Sequence, residues 1–269
     1  MSRSRRPSVQ KYHDRVAHKY DSSYEDEYWQ WHDQLTWDYL KPHLPVDLSK
    51  RLADLGCGTG KWAAKFAKSG YQVTCVDISP QMLDKAREKM AEQGAAPRCE
   101  FLQADLCDMS AIPDDTFACA LALGDPIGCT DSPSKALKEI RRILAPGGLL
   151  IATFDNRLAA IDFYLQSGNP DELEAFLRQG RTHWLTKDVA EQFPIHTYGP
   201  TELRKLIEIS GFTIVDILGK TVLPMRHHRE LLADSQQRRH FAQIEKSLCR
   251  DPAAMGRAGH LQVVAKATN

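Results

Sequence analysis

The sequence predicts an α/β fold of parallel strands joined by right-handed crossovers. Two observations carry this. Short apolar runs of strand length alternate with stretches whose apolar residues recur at helical spacing. The run over residues 118 to 123 is apolar throughout, as a strand buried on both faces must be. At 269 residues the chain is long enough for one large domain with insertions and a full core.

Residues 1 to 10, which include Arg3, Arg5 and Arg6, are expected to form a disordered basic leader. From residue 11 to 40 aromatics mix with charges, and Tyr28, Trp31, Leu35 and Tyr39 share one helical face. That stripe fits either core packing on the next domain or a lid over it. Pro42, Pro45 and Ser49 mark the linker. The first strand, residues 51 to 55, runs into Gly56-Cys57-Gly58-Thr59-Gly60, after which Trp62, Ala63, Phe66 and Ala67 recur at helical spacing. Gly70 breaks that helix, and residues 72 to 77 form a second strand ending on the Asp77 carboxylate. Ser79-Pro80 then supplies an N-cap and a first-turn proline for a helix with Met82, Leu83, Ala86 and Met90 on one face.

Residues 99 to 103 are the third strand, and 118 to 123 the fourth. Ser132-Pro133 opens a helix whose face is Ala136, Leu137, Ile140, Ile143 and Leu144, and Ala145-Pro146-Gly147-Gly148 stops it before a fifth strand over 149 to 154. Residues 156 to 198 interrupt the alternation with a charged helical stretch over 171 to 179. Gly199-Pro200-Thr201-Glu202 restarts a helix, Gly211 ends it, and 212 to 218 is the sixth strand. A second insertion, 220 to 258, is helical and locally basic, and 260 to 266 alternates as the last strand.

The glycine loop is the chemically informative stretch. Three glycines in five residues let the main chain approach a ligand closely. The first free N–H groups of the following helix face the same point. Gly58-Thr59-Gly60-Lys61-Trp62-Ala63 also fits the G-x-G-x-x-A dinucleotide fingerprint, with Asp77 nineteen residues on as the ribose carboxylate. Charge separates the two readings. A carboxylate at Asp54 beside a pyrophosphate would be a like-charge contact of roughly 1 to 4 kcal/mol at ~4 Å, whereas a cationic ligand makes it attractive. The nucleoside with a ribose, no phosphate, an amino group and a sulfonium is S-adenosyl-L-methionine.

Asp54-Leu55-Gly56-Cys57-Gly58-Thr59-Gly60 resembles the first motif of the class I methyltransferases that use this cofactor, and Leu144-Ala145-Pro146-Gly147-Gly148 resembles a later one. The resemblance spans about residues 45 to 155 and 199 to 266 and is nearest to enzymes that methylate quinone precursors and diverse small metabolites. It implies a Rossmann-like doubly wound sheet of seven strands, mostly parallel with the last antiparallel, carrying helical cap insertions. It implies an enzyme that transfers a methyl group to an O, N or C atom of a small molecule, leaving S-adenosyl-L-homocysteine. The domain expected is residues 46 to 269, with caps at 156 to 198 and 220 to 258, preceded by a tail and aromatic lid over 1 to 45.

In this family a segment of the form a-x-x-Y-D closes over the cofactor, and Ala17-His18-Lys19-Tyr20-Asp21 matches it. On the resemblance the cofactor contacts are Tyr20, Tyr24, Asp54, Gly56, Cys57, Gly58, Gly60, Asp77, Ile78, Met82, Asp105, Leu106 and Leu123. Asp77 would accept the ribose hydroxyls, Asp105 would receive the adenine amino group, and Ile78 and Met82 would flank the ring. Gly124-Asp125-Pro126-Ile127 departs from the motif of nucleic-acid amino methyltransferases, lacking its second proline and its aromatic.

Composition narrows the partners. Lys plus Arg equals Asp plus Glu at 35 each, so no global field attracts nucleic acid or an anionic membrane. Seven cysteines without a C-x-x-C pair suit reduced thiols in a cytoplasmic protein, and no run approaches membrane-spanning length. The ten histidines form no H-x-x-x-H set with a nearby carboxylate, so no metal is expected. The acceptor is expected under the insertions and the aromatic segment, where His32, Asp125, Tyr198 and Arg226 are candidate contacts. His183, beside Trp184, is the first candidate base, with His227 and His228 behind it. A nucleic-acid or protein methyltransferase, a nicotinamide-dependent oxidoreductase and a non-catalytic cofactor-binding regulator remain as alternatives.

Overall fold

The computed structural model describes residues 8–183, 188–190 and 192–268. Arg3, Arg5, Arg6 and Trp184 lie outside the described residues. In chain order the helices are α1 (Ser8–Val16), α2 (Glu27–Leu40), α3 (Lys61–Lys68), α4 (Pro80–Glu92), α5 (Pro133–Ile143), α6 (Ile161–Ser167), α7 (Pro170–Gln179), α8 (Pro200–Ile209), α9 (Ser235–Leu248) and α10 (Pro252–Met255). The strands are β1 (Arg51–Leu55), β2 (Gln72–Asp77), β3 (Cys99–Gln103), β4 (Phe117–Ala122), β5 (Leu144–Asp155), β6 (Arg181–Thr182), β7 (Ile195–His196), β8 (Phe212–Lys220) and β9 (His260–Ala267).

Seven strands form one sheet in the order β3-β2-β1-β4-β5-β9-β8. β9 runs antiparallel to β5 and β8, and the other neighbours are parallel. The chain reverses its lateral direction between β1 and β4, which leaves a crevice at the strands' carboxyl ends. The fold expected from the alternation and the motifs is therefore the fold observed. Two boundaries differ. Ser8–Gln10 belong to α1, with Gln10 buried, because Val9, His13 and Val16 supply a helical face to pack. β5 starts at Leu144 rather than 149, since Leu144 pairs with Phe117 of β4 ahead of an irregularity at Pro146-Gly147-Gly148, where Gly147 takes φ +74°, and the pairing resumes at Leu149.

Both faces of the sheet are covered. One core joins Leu55, Ala120, Leu150 and Val263 to α5 and α8 through Leu137, Ile140, Leu203 and Ile207. The other joins Leu52, Val73, Leu121 and Ile151 to α3 through Phe66 and Ala63, with Leu40 of α2 at its edge. Each such fully buried aliphatic side chain contributes about 1.5–3 kcal/mol. A third cluster unites α2 with the second insertion: Tyr28, Trp31, Leu35 and Tyr39 pack on Leu218, Met225, Leu232 and Cys249. The aromatic stripe of α2 is thus core, whereas the short segment before it covers the glycine loop.

A candidate cofactor site at the strand ends

A cavity, open on one side, lies at the carboxyl ends of β1, β2 and β4. Gly56, Gly58, Asp77, Ile78, Asp105, Leu106 and Leu123 line it, as does Tyr20 from the N-terminal segment. Gly58 takes φ +53°, and a Cβ there would meet only Tyr20 Cε1 at 3.9 Å, so this glycine faces the open space. Its N–H donates to Asp77 Oδ2 at 2.8 Å, and Ser79 N–H donates to Oδ1 at 2.9 Å. Each carboxylate oxygen keeps a lone pair for a ligand hydroxyl. Burial raises the Asp77 carboxyl above its usual range, while the backbone donors and nearby His13 oppose that rise. Asp105 Oδ1 accepts Cys107 N–H at 2.8 Å, which fixes the turn that carries Leu106.

The segment that carries Tyr20 is tied down on both sides. Tyr20 packs on Tyr24 with ring centroids 5.0 Å apart, and burial pushes its hydroxyl well above the ordinary tyrosine range. Asp21 next to it accepts from Thr59 Oγ1 of the glycine loop at 2.5 Å and from Lys89 Nζ of α4 at 2.7 Å. That pair of bonds gives a structural reason for an Asp after the Tyr. Ser79 Oγ donates to Asp14 Oδ1 at 2.6 Å, which docks α1 on α4.

Several expected contacts lie elsewhere. Asp54 is 2% exposed and does not line the cavity; its carboxylate accepts the Ala63 N–H in the first turn of α3, behind the loop. Desolvation pushes its carboxyl up to about 7. Cys57 is buried within the glycine loop, its Sγ 3.6 Å from the Gly58 carbonyl, and is not among the lining residues. Gly60 is a packing glycine at φ +80°, where a Cβ would stand 2.7 Å from Met90 Cε and 3.0 Å from Ala86 Cβ of α4. Met82 is fully buried beneath Val16, Ala17, Tyr12 and Tyr20, so it supports the N-terminal segment from below. Tyr24 sits between the Tyr20 and Trp29 rings, outside the cavity.

The acceptor candidates also separate. Asp125, at φ +61°, is a buried turn residue whose carboxylate accepts Gly128 N–H at 2.9 Å and Asp155 N–H at 3.1 Å. Tyr198 packs edge-on against Phe154 beneath the first insertion. His183 is exposed after β6, and His227 and His228 are exposed in the second insertion, because neither segment turns those rings inward. None of the five lines the cavity. His32 and Arg226 stand near the end of β5, one strand away from it: His32 faces His260, and Arg226 lies over the Trp29 ring at 5.9 Å.

Val9, His13, Cys129, Thr130 and Asp131 line the cavity without having been anticipated. For the first two, helical spacing across Val9, His13 and Val16 was the available signal. The last three belong to the turn after β4 and carry no motif. Phe193, between β6 and β7, reaches α1, its ring 5.9 Å from that of Tyr12 and 6.1 Å from that of His13.

Residues 52–148 match the family described as a methyltransferase domain. The chain is 24% identical over 220 residues, 80% of its length and 79% of the relative's, to the tRNA 5-carboxymethoxyuridine methyltransferase of Escherichia coli. It is 39% identical over 101 residues to a ubiquinone/menaquinone biosynthesis C-methyltransferase of Marinomonas sp., covering 36% of this chain and 39% of that one. A solved structure of a putative S-adenosylmethionine-dependent methyltransferase from Listeria monocytogenes shares the fold, with a TM-score of 0.62 at 20% identity over 88% of this chain and 98% of the other. The matched domain, the relatives and the shared fold together support a class I S-adenosylmethionine-dependent methyltransferase.

Proposed function

We propose that the protein binds S-adenosyl-L-methionine in the cavity at the strand ends and methylates an O, N or C atom of a small, partly aromatic molecule. The observation that carries the cofactor assignment is the pairing of Gly58 with Asp77, an open main-chain approach beside a carboxylate with free lone pairs. Asp77 accepts the two ribose hydroxyls. Asp105 receives the adenine amino group, and Ile78 and Leu106 flank the ring. Tyr20 and His13 cover the methionine end, and Asp21 holds that cover to Thr59. When bound, the cofactor supplies a methyl group already activated on sulfonium sulfur. The chain's task is then to hold the acceptor in line and exclude water, for which orientation is the main contribution. Residues 46 to 269 serve as the catalytic unit, and the preceding segment as its lid.

A small acceptor is favoured by what happens to the basic second insertion. Arg229 pairs with Asp26, Arg238 donates to the Leu232 carbonyl at 2.8 Å, and Arg226 lies over Trp29. Arg229 and Arg226 thereby hold the insertion against α2, while the Arg238 bond ties the insertion to itself. A tRNA base is the second reading, favoured by the Escherichia coli relative that matches over most of the chain. The test incubates the protein and tritiated S-adenosylmethionine with a small-metabolite extract and, separately, with total tRNA. Label in the metabolite fraction supports the first reading, and label confined to tRNA replaces it with the second.

A further inference from the structure

One strand beyond the cofactor cavity, the buried seam between α2 and the sheet collects polar groups that methyl transfer leaves without a role. Asp155 of β5 pairs in register with His260 of β9, which pairs with Lys220 of β8. These three end the same face of the sheet, and Gln262 follows His260 on that face two residues along. From α2, the His32 ring lies 5.2 Å from that of His260. Five atoms here are buried without a hydrogen-bond partner: Nδ1 and Nε2 of His32, Nδ1 of His260, and both amide atoms of Gln262. Lys220 is 1% exposed and donates to Thr36 Oγ1 at 2.8 Å. No carboxylate among the described residues lies within ion-pair distance of its ammonium.

A buried ammonium without a counter-ion is costly, and buried imidazoles and amides normally find partners. One small acidic group would satisfy the set. It would accept from Lys220 and from the two imidazoles, each of which has a free nitrogen. The seam meets the surface at Asp155 and His260, whose side chains are 21% and 23% exposed. That edge adjoins the cofactor cavity: Gly124, which lines that cavity, donates to Thr153 Oγ1 at 2.7 Å, two residues before Asp155. Trp29 and Tyr28 form an aromatic wall beside His32, with ring centroids 5.2 and 6.2 Å away.

We propose that this seam opens to serve as an anion subsite for the acceptor, in which Lys220, His32 and His260 hold a carboxylate attached to an aromatic ring lying on the side of Trp29 and Tyr28. The inference builds on the small-molecule reading above and narrows the acceptor to an aryl acid. Burial holds the Lys220 ammonium down to about 7, with Asp33 and Asp155 opposing that fall at longer range. The other charged or titratable groups facing the seam are Arg226, Lys61 and the two histidines, whose rings burial keeps neutral. An anion placed against Lys220 restores its proton, so binding near pH 7 takes up protons.

The test is calorimetry of benzoate and of its neutral counterpart benzamide, on protein saturated with S-adenosylhomocysteine, in two buffers of different ionisation enthalpy. Benzoate should bind roughly 10-fold or more tightly than benzamide, with proton uptake, and Lys220→Met should erase the difference. Affinity for S-adenosylhomocysteine should stay within about 2-fold in that variant, since Lys220 lies outside the cofactor cavity. Equal binding of the two probes, no binding of benzoate, or unchanged benzoate affinity in Lys220→Met overturns the proposal. If Lys220→Met does not fold, nitrogen resonances of labelled histidine in the wild type decide instead: benzoate must shift His32 and His260, and static signals reject the site. Failure of S-adenosylhomocysteine to bind at all would strike the methyl-transfer reading itself and is scored separately.

Discussion

Replacing Asp54 by Asn isolates a charge that the fold keeps at a cost. The carboxyl is buried behind the glycine loop, and one of its oxygens has no hydrogen-bond partner. Desolvation raises it to about 7, against ~3.9 in an unfolded chain. The folded state therefore binds the proton more tightly, and stability falls as pH rises from ~4 through about 7. At roughly 1.36 kcal/mol per pH unit, ionisation costs about 1.5 kcal/mol at pH ~5 and about 4 kcal/mol above pH ~8. Asn keeps an acceptor for the Ala63 N–H and carries no charge. Urea unfolding of wild type and Asp54→Asn at both pH values should show the variant gaining roughly 2.5–3 kcal/mol relative to wild type between them. A difference that is the same at both pH values would refute the buried-charge reasoning. The same residue should matter for ligand binding in the opposite sense, because a cationic cofactor favours the ionised form: the variant should bind S-adenosylmethionine more weakly and acquire no affinity for NAD.

Gly58→Val puts a β-branched side chain at φ +53° and into the cavity, so circular dichroism should report a folded protein that no longer binds S-adenosylhomocysteine. Gly60→Ala should act on stability instead, lowering it by roughly 2 kcal/mol or more, because the new methyl meets Met90 and Ala86 of α4 at a left-handed position. Loss of cofactor binding in Gly60→Ala at unchanged stability would reverse these two roles. His183→Ala should leave turnover with the identified acceptor within about 2-fold, as expected of an exposed residue outside both sites; a large fall would return it to the chemistry.

Where the sequence was informative, a local rule and the global fold agreed. The apolar runs of β1, β2, β3 and β4 and the cap at Ser79 lie where periodicity and capping chemistry put them, whereas α5 stops one residue early because Leu144 joins β5. Asp77, Ile78, Asp105 and Leu106, which the family resemblance implied, line the cavity because each ends or follows a strand at its mouth. Asp54 could not be placed so well. Strand periodicity shows that it closes β1 but not that the glycine loop folds over it. Nor does loop spacing tell the ligand-facing Gly58 from the helix-facing Gly60, a distinction set by how α3 meets α4. The seam under α2 was harder still. Lys220 and Gln262 stood in view as polar residues in apolar strands, but only the antiparallel register of β9 brings them beside His32 and Asp155. His183 was drawn in by an aromatic neighbour in sequence, and adjacency along a loop fixes no direction for a side chain.

The most direct measurement is calorimetric titration of S-adenosylhomocysteine into the wild type and into Asp77→Ala. Asp77 is assigned two charge-assisted bonds to ribose of roughly 1.5–3 kcal/mol each, so the variant should lose about 100-fold or more in affinity while the wild type binds at a single site. Equal affinity in the two proteins, or no binding to the wild type, would contradict the account.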